Sequence, residues 1–181
     1  APLNSVECKG WGAACGDGEK TGWKEDDIWV HTENNRFLEQ LQGRKVIAVE
    51  LDPPYDADDA KIIAAAARLK ELGADILTVA DSPQGRSRMD SVLTAVKLMA
   101  VTGMPVMPHI CCRDKNMISM RSVLLGAYAN GIRNFLFVTG DPVPIQLRSS
   151  ATGVFDYNSV KLMEFAREMN REHFQNEPMV F

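Results

Sequence analysis

The chain has 181 residues, of which 45% are hydrophobic and 24% are charged. This composition is typical of a folded globular protein and excludes a disordered chain. The net charge of −4 is the opposite of the basic excess that general nucleic-acid binders carry, and no apolar run approaches the length of a membrane span. We therefore expect no nucleic-acid partner and no membrane partner. Four unevenly spaced cysteines favour a reduced, cytoplasmic protein over a disulfide framework.

Residues 1–43 differ in texture from the rest of the chain. The stretch Lys9–Lys24 is rich in glycine and charge and shows no regular period, which indicates irregular structure. Apolar positions between Asp26 and Leu41 predict one helix, which Gly43 would end. We therefore divide the chain into an N-terminal extension with its helix, residues 1–43, and a main part, residues 44–181.

From residue 44 onward, short apolar runs alternate with helical patterns. Strands are predicted at 46–51, 75–80, 105–110 and 134–139, and helices at 58–72, 90–100, 116–130 and 158–170. A fifth strand is predicted to begin at Pro178–Phe181. Nearly continuous apolar strands are typical of parallel strands that are covered on both faces. The alternation predicts an α/β fold with right-handed crossovers.

Two architectures compete for this pattern, the doubly wound open sheet and the (β/α)₈ barrel. No Gly-x-Gly-x-x-Gly follows the first strand, so the dinucleotide fingerprint of many doubly wound folds is missing. The unit repeats about every 30 residues, as in barrels of about 250 residues. We therefore expect a TIM-type (β/α)₈ barrel of which this chain carries about the first four βα units. A complete four-stranded α/β domain is the alternative.

One polar residue stands at the end of each predicted strand: Glu50, Asp81, His109 and Asp141. In a barrel, the active site forms at the carboxyl ends of the strands. A carboxylate in an apolar strand is costly unless it has a partner or a function, so Glu50 is the strongest candidate. The structural alternatives are a salt-bridged strand end for Glu50, an Asx turn for Asp141 and a hydrogen-bonded core histidine for His109.

The residues that follow His109 invite a metal-site interpretation. Cys111 and Cys112 are adjacent, and adjacent thiolates fit a tetrahedral zinc site poorly, so we expect no metal. The charged run at residues 113–115 is interpreted as a solvated cluster at the rim of the site. Within it, Arg113 or Lys115 is a candidate for contact with a cofactor phosphate.

The strand ends also carry a specific set of motifs in a fixed order. They are Val49-Glu-Leu-Asp-Pro-Pro54, Gly73-Ala-Asp75, Pro108-His109, and Gly131-Ile-Arg-Asn134 leading into Val138-Thr-Gly-Asp-Pro142. In these motifs, residues 35–181 resemble the methylenetetrahydrofolate reductases, flavin-dependent barrel enzymes of one-carbon metabolism. The stretches at 80–89 and 151–156 look most like the reductase half of bifunctional homocysteine methyltransferase–methylenetetrahydrofolate reductase proteins.

The resemblance implies a reaction, cofactors and roles. NADH or NADPH would reduce FAD, and reduced FAD would pass hydride to the folate substrate methylenetetrahydrofolate, giving methyltetrahydrofolate. Glu50 would be the general acid and Asp141 would tune the flavin electrostatically. The implied cofactor-binding residues are His109, Thr139, Gly140, Asp141 and Asp81. Because Asp81 replaces an aromatic residue of the family, we expect it to pair with Arg86 or Arg88.

Two other functions remain open at this point. One is a non-catalytic half-barrel fragment or scaffolding remnant, because four βα units leave two open sheet edges. The other is a pterin-binding methyltransferase barrel without flavin. The open edges also predict that the chain is a homo-oligomer or part of a longer polypeptide, since a closed barrel would pair them.

Overall fold

The structure, a computed structural model, describes residues 45–181. The predicted N-terminal helix therefore lies outside the described residues. The strands are β1 (Ala48–Leu51), β2 (Ile76–Val79), β3 (Val106–Cys111) and β4 (Leu136–Val138). The helices are α1 (Ala60–Glu71), α2 (Ser91–Thr102), α3 (Met117–Ala129) and α4 (Ser159–His173). The strands and helices predicted from 46 to 170 are confirmed in type and order, with ends that shift by a few residues.

The four strands form one parallel sheet in the order β1-β2-β3-β4. A doubly wound sheet reverses its strand order at a switch point, and the described sheet has no such reversal. The α/β class with parallel strands is thus confirmed, and the consecutive order is the one that a barrel requires. A parallel bridge between Asn134 and Val180 places the end of the described chain beside β4, where a fifth strand was predicted to begin.

Three helices begin directly after the loops that follow the strands, and each start is fixed by a side-chain cap. The side chains of Asp90, Asn116 and Asn158 accept hydrogen bonds from the backbone N–H groups of Leu93, Ser119 and Lys161. Each cap satisfies a backbone donor that has no partner inside the helix. The caps therefore set the length of the loops that lie at the carboxyl edge of the sheet.

The two faces of the sheet carry different side chains. Val49, Leu77 and Val106 are in register on one face and belong to the core that packs against the helices. Because side chains alternate along a strand, their neighbours Glu50, Thr78 and Met107 share the opposite face. His109, two residues beyond Met107, is on that face as well. The fold thus places Glu50 and His109 on the side away from the helices.

Among the described helices, none is long and apolar enough to cross a bilayer.

Candidate functional site

A pocket of about 380 Å³ lies at the carboxyl ends of the four strands. Its lining includes five of the six predicted site residues: Glu50, Asp81, His109, Gly140 and Asp141. Parallel pairing explains this convergence, because it brings the same end of every strand to one edge of the sheet. Thr139 does not line the pocket, although its neighbour Gly140 does.

Glu50 and His109 form the wall of the pocket nearest β1. His109 Nε2 lies 3.6 Å from Glu50 Oε2, and the side chains are 10% and 60% exposed. His109 Nε2 is buried and has no hydrogen-bond partner among the described residues. Burial lowers the pKa of the His109 imidazole, and this effect outweighs the opposing one of the Glu50 carboxylate. A neutral imidazole therefore faces the carboxyl group at neutral pH.

Asp81 is held by the β3 unit. Its Oδ2 atom accepts hydrogen bonds from Cys111 N at 2.9 Å and from Lys115 Nζ at 2.5 Å. Asp81 and Lys115 are 8% and 14% exposed, so they form a largely buried ion pair. The predicted pairing of Asp81 with Arg86 or Arg88 is wrong, because the cation that contacts the Asp81 carboxylate is Lys115 of the neighbouring βα unit.

Arg88 has partners at the end of β1 instead. Its guanidinium donates to the carbonyl of Pro53 at 2.9 Å and to the carboxylate of Asp52 at 3.3 Å. It also lies 3.5 Å from the centroid of the Tyr55 ring, in a cation–π contact. These contacts tie the loop after β2 to the loop after β1.

Arg113 corrects the prediction of a solvated charged run at residues 113–115. Its side chain is only 3% exposed. Nε and Nη2 donate to the carboxylate of Asp114 at 2.8 and 2.6 Å, and Nη2 also donates to Ser82 O at 3.0 Å. Nη1 lies 3.4 Å from the backbone oxygen of Asp141. A buried guanidinium needs this many acceptors, and they come from three different loops.

Asp141 faces the loop after β2. Its carboxylate accepts a hydrogen bond from Gln84 N at 2.9 Å. In that loop Ser82 and Gln84 have φ values of 46° and 57°, which non-glycine residues rarely adopt. Such conformations cost about 1–3 kcal/mol each and persist only where neighbouring contacts hold them. Asp141 therefore forms a defined contact rather than a local Asx turn of its own.

Thr139 and Gly140 carry the chain from β4 into its loop. Thr139 Oγ1 accepts a hydrogen bond from Ser159 N at 3.1 Å, and so satisfies a backbone donor in the first turn of α4. Gly140 has a φ of +95°, and a Cβ placed there would lie 2.2 Å from Cys111 Sγ. Only glycine permits this close approach between the ends of β4 and β3.

A match to a protein-family model shows which family this chain belongs to. The family model of methylenetetrahydrofolate reductase matches residues 35–176, a range that contains all four strands and the pocket. The chain belongs to the methylenetetrahydrofolate reductase family. It is 29% identical over 111 residues to the 5,10-methylenetetrahydrofolate reductase of Pectobacterium carotovorum subsp. carotovorum. That alignment covers 59% of this chain and 36% of the relative, so the chain spans well under half of the curated protein that it matches.

Two solved structures of another enzyme show weak similarity to this chain. The carboxyl transferase domain of Rhizobium etli pyruvate carboxylase with oxalate superposes with a TM-score of 0.42 at 16% identity, covering 84% of this chain and 29% of that one. The same domain with oxamate and biotin gives 0.41 at 15% identity, covering 74% and 26%. Similarity at this level carries no inference about what this chain does.

Three features of the site were not predicted from the sequence: the buried guanidinium of Arg113, the Asp81–Lys115 pair and the strained turn at Ser82. The one sequence signal for the burial of Arg113 was that residues 113–115 follow directly after a long apolar run.

The thiols of Cys111 and Cys112 stay protonated, because burial raises their pKa, that of Cys112 to about 11. No cluster of metal-ligating side chains occurs within residues 45–181.

Proposed function

We propose that the protein reduces 5,10-methylenetetrahydrofolate to 5-methyltetrahydrofolate, with NADH or NADPH as reductant and FAD as the bound hydride carrier. The supporting observation is the pocket that collects Glu50, His109 and Asp141 from three strand ends in a chain of the methylenetetrahydrofolate reductase family. The reaction needs a proton for the leaving nitrogen and a hydride for the methylene carbon. An acid and a nearby negative charge are the groups that such chemistry requires.

The residues present in the pocket fit a flavin. His109 Nε2 is buried without a partner among the described residues, and a polar atom of a bound ligand would satisfy it. His109, Asp81, Gly140 and Asp141 line the pocket and are the residues that would hold the cofactor. When bound, FAD would supply the hydride that converts the methylene carbon into a methyl group.

Glu50 is the proposed general acid. Its carboxyl proton moves to the leaving nitrogen as the bond from that nitrogen to the methylene carbon breaks, and the carbon remains on the other nitrogen as an iminium cation. Glu50 is left as a carboxylate beside the neutral imidazole of His109, which adds no positive charge to oppose the cation. The negative charge of Asp141 favours the cationic folate.

We further propose that the described sheet is part of a (β/α)₈ barrel of the kind found in the reductase half of bifunctional homocysteine methyltransferase–methylenetetrahydrofolate reductase proteins. The consecutive parallel order and the bridge at Val180 support this architecture. Strand β1 lies at the edge of the described sheet and leaves Glu50 60% exposed. A longer polypeptide or a second copy of the chain would cover that edge. We also propose that the protein is cytoplasmic, which the free thiols of Cys111 and Cys112 support.

The test is to purify the full chain, record its visible spectrum and assay NADH and NADPH oxidation with methylenetetrahydrofolate, identifying the product by mass spectrometry. Glu50→Gln should abolish folate reduction yet leave flavin reduction by the nicotinamide intact, because only ring opening needs the proton. Glu71→Gln, on the exposed face of α1, is the matched control.

Each contrary result favours a different conclusion. A protein that binds folate and has no flavin, but transfers a methyl group, would favour the pterin-binding methyltransferase. A protein that holds no flavin and turns over no folate would favour a scaffolding role. Equal loss of both half-reactions in Glu50→Gln would make Glu50 structural.

A further inference from the structure

Arg113 and Arg133 are both buried in the described chain, but of the two only Arg113 contacts three loops of the pocket. We propose that Arg113 is a positioning residue that fixes Asp141 and the turn at Ser82–Gly85 against the pocket. The proposal rests on the proposed function, in which Asp141 favours the folate cation. Arg113 thereby sets the rate of folate reduction through Asp141.

Hydrogen bonds connect Arg113, the turn after β2 and Asp141 to one another. Nη2 donates to Ser82 O at 3.0 Å, and two residues later Gln84 N donates to the Asp141 carboxylate at 2.9 Å. The backbone oxygen of Asp141 lies 3.4 Å from Nη1 of Arg113. Arg113 thus anchors both the turn that orients the Asp141 carboxylate and the backbone that carries it.

The turn needs such an anchor because its backbone is strained. Ser82 and Gln84 both have positive φ values, and an L-residue leaves that region when nothing holds it there. The far end of the β4 loop is held by the backbone of the same residue, since Val154 N donates to the backbone oxygen of Arg113 at 2.7 Å, and this contact does not depend on the guanidinium. Loss of the guanidinium would therefore release the turn and loosen the contact to Asp141.

The role of Arg113 is geometric rather than electrostatic. Asp114 accepts two hydrogen bonds from its guanidinium, so the pair adds almost no net charge to the pocket. A planar guanidinium reaches acceptors in three directions, whereas the ammonium of a lysine is a point charge on a flexible stem. Arg113→Lys should consequently keep the charge and lose most of the positioning.

The test compares Arg113→Lys, Arg113→Met, Asp141→Asn and the double variant Arg113→Met/Asp141→Asn in the full, flavin-loaded chain. We expect kcat for folate reduction to fall about 100-fold in Arg113→Met, the loss typical of a misplaced catalytic group, with a smaller change in KM. The double variant should be no more than about 3-fold slower than the slower single one, because both changes disable Asp141. Multiplication of the two losses would overturn the proposal.

Hydrogen exchange in the ligand-free chain gives a second readout that does not depend on folate reduction. In both Arg113 variants the segment 82–86 should exchange faster, while β2 and β3 keep their protection. Arg121→Met removes an exposed arginine of α3 and should change neither readout. Unchanged exchange at 82–86, or lost protection throughout β2 and β3 in both variants, would overturn the proposal. Inactivity of the wild-type chain would instead refute the proposed function.

Discussion

His109 Nε2 and Glu50 Oε2 are 3.6 Å apart, yet one side chain is buried and the other faces solvent. The imidazole therefore has the desolvation of an interior group without the full benefit of an ion pair. This asymmetry explains why its pKa is lowered although a carboxylate is nearby.

The lowered pKa of His109 makes the stability of the fold depend on pH. As pH falls below the ordinary histidine value of 6.5, the unfolded chain takes up a proton before the folded one does. The free energy of unfolding should thus decrease on acidification through this range and level off below the folded pKa. Urea unfolding between about pH 7.5 and pH 5 measures this slope, and His109→Gln should flatten it. His173→Gln, at an exposed histidine of α4, controls for loss of an imidazole; an unchanged slope in His109→Gln would contradict the prediction.

Asp141→Asn removes a charge while keeping an oxygen that accepts the Gln84 N–H hydrogen bond. Under the proposed function, the flavin reduction potential of the loaded protein should rise, on the order of tens of millivolts, because a nearby negative charge opposes reduction. Equilibration with reference dyes measures this potential. Asp156→Asn, at a carboxylate that contacts Met117 N outside the pocket lining, is the control. An unaltered potential in folded Asp141→Asn would remove Asp141 from the surroundings of the flavin.

Lys115→Met should destabilise the fold by about 3 kcal/mol, because it leaves the Asp81 carboxylate buried without its countercharge. Adding Asp81→Asn should recover part of that loss, since no unpaired charge then remains. Denaturant unfolding gives both values. Arg68→Met breaks an exposed pair on α1 and should cost less than about 1 kcal/mol. Equal costs for Arg68→Met and Lys115→Met would show that burial of the Asp81 pair adds nothing.

Gly140→Ala should cost about 3 kcal/mol, since it combines a positive φ with a Cβ placed 2.2 Å from Cys111 Sγ. Gly73→Ala is the matched control: Gly73 has a φ of +86° and open space around it, so about 1–2 kcal/mol is expected. Adding Cys111→Ala to Gly140→Ala should restore part of the stability. Thermal unfolding of the set measures the difference, and no rescue by Cys111→Ala would mean that backbone strain alone accounts for the cost.

The sequence was a good guide to the elements and a poor one to the contacts between loops. The apolar runs and their strand-like or helical spacing are local signals, so the strands and helices after residue 44 were predictable. The partner of Asp81 was not, because it depends on which loops the strand order brings together. Arg113 shows the same limit: a charged run is ordinarily solvated, and only the approach of the β2 and β4 loops buries it.

The pocket joins residues that are far apart along the chain: Ser82 and Arg113 are 31 positions apart, and Gln84 and Asp141 are 57. Such contacts form only after the parallel strands between them have paired, and parallel pairing is slow because each crossover must close first. The pocket is therefore one of the last parts of the molecule to be completed during folding. Recovery of ligand binding after dilution from denaturant should lag behind the recovery of helical signal.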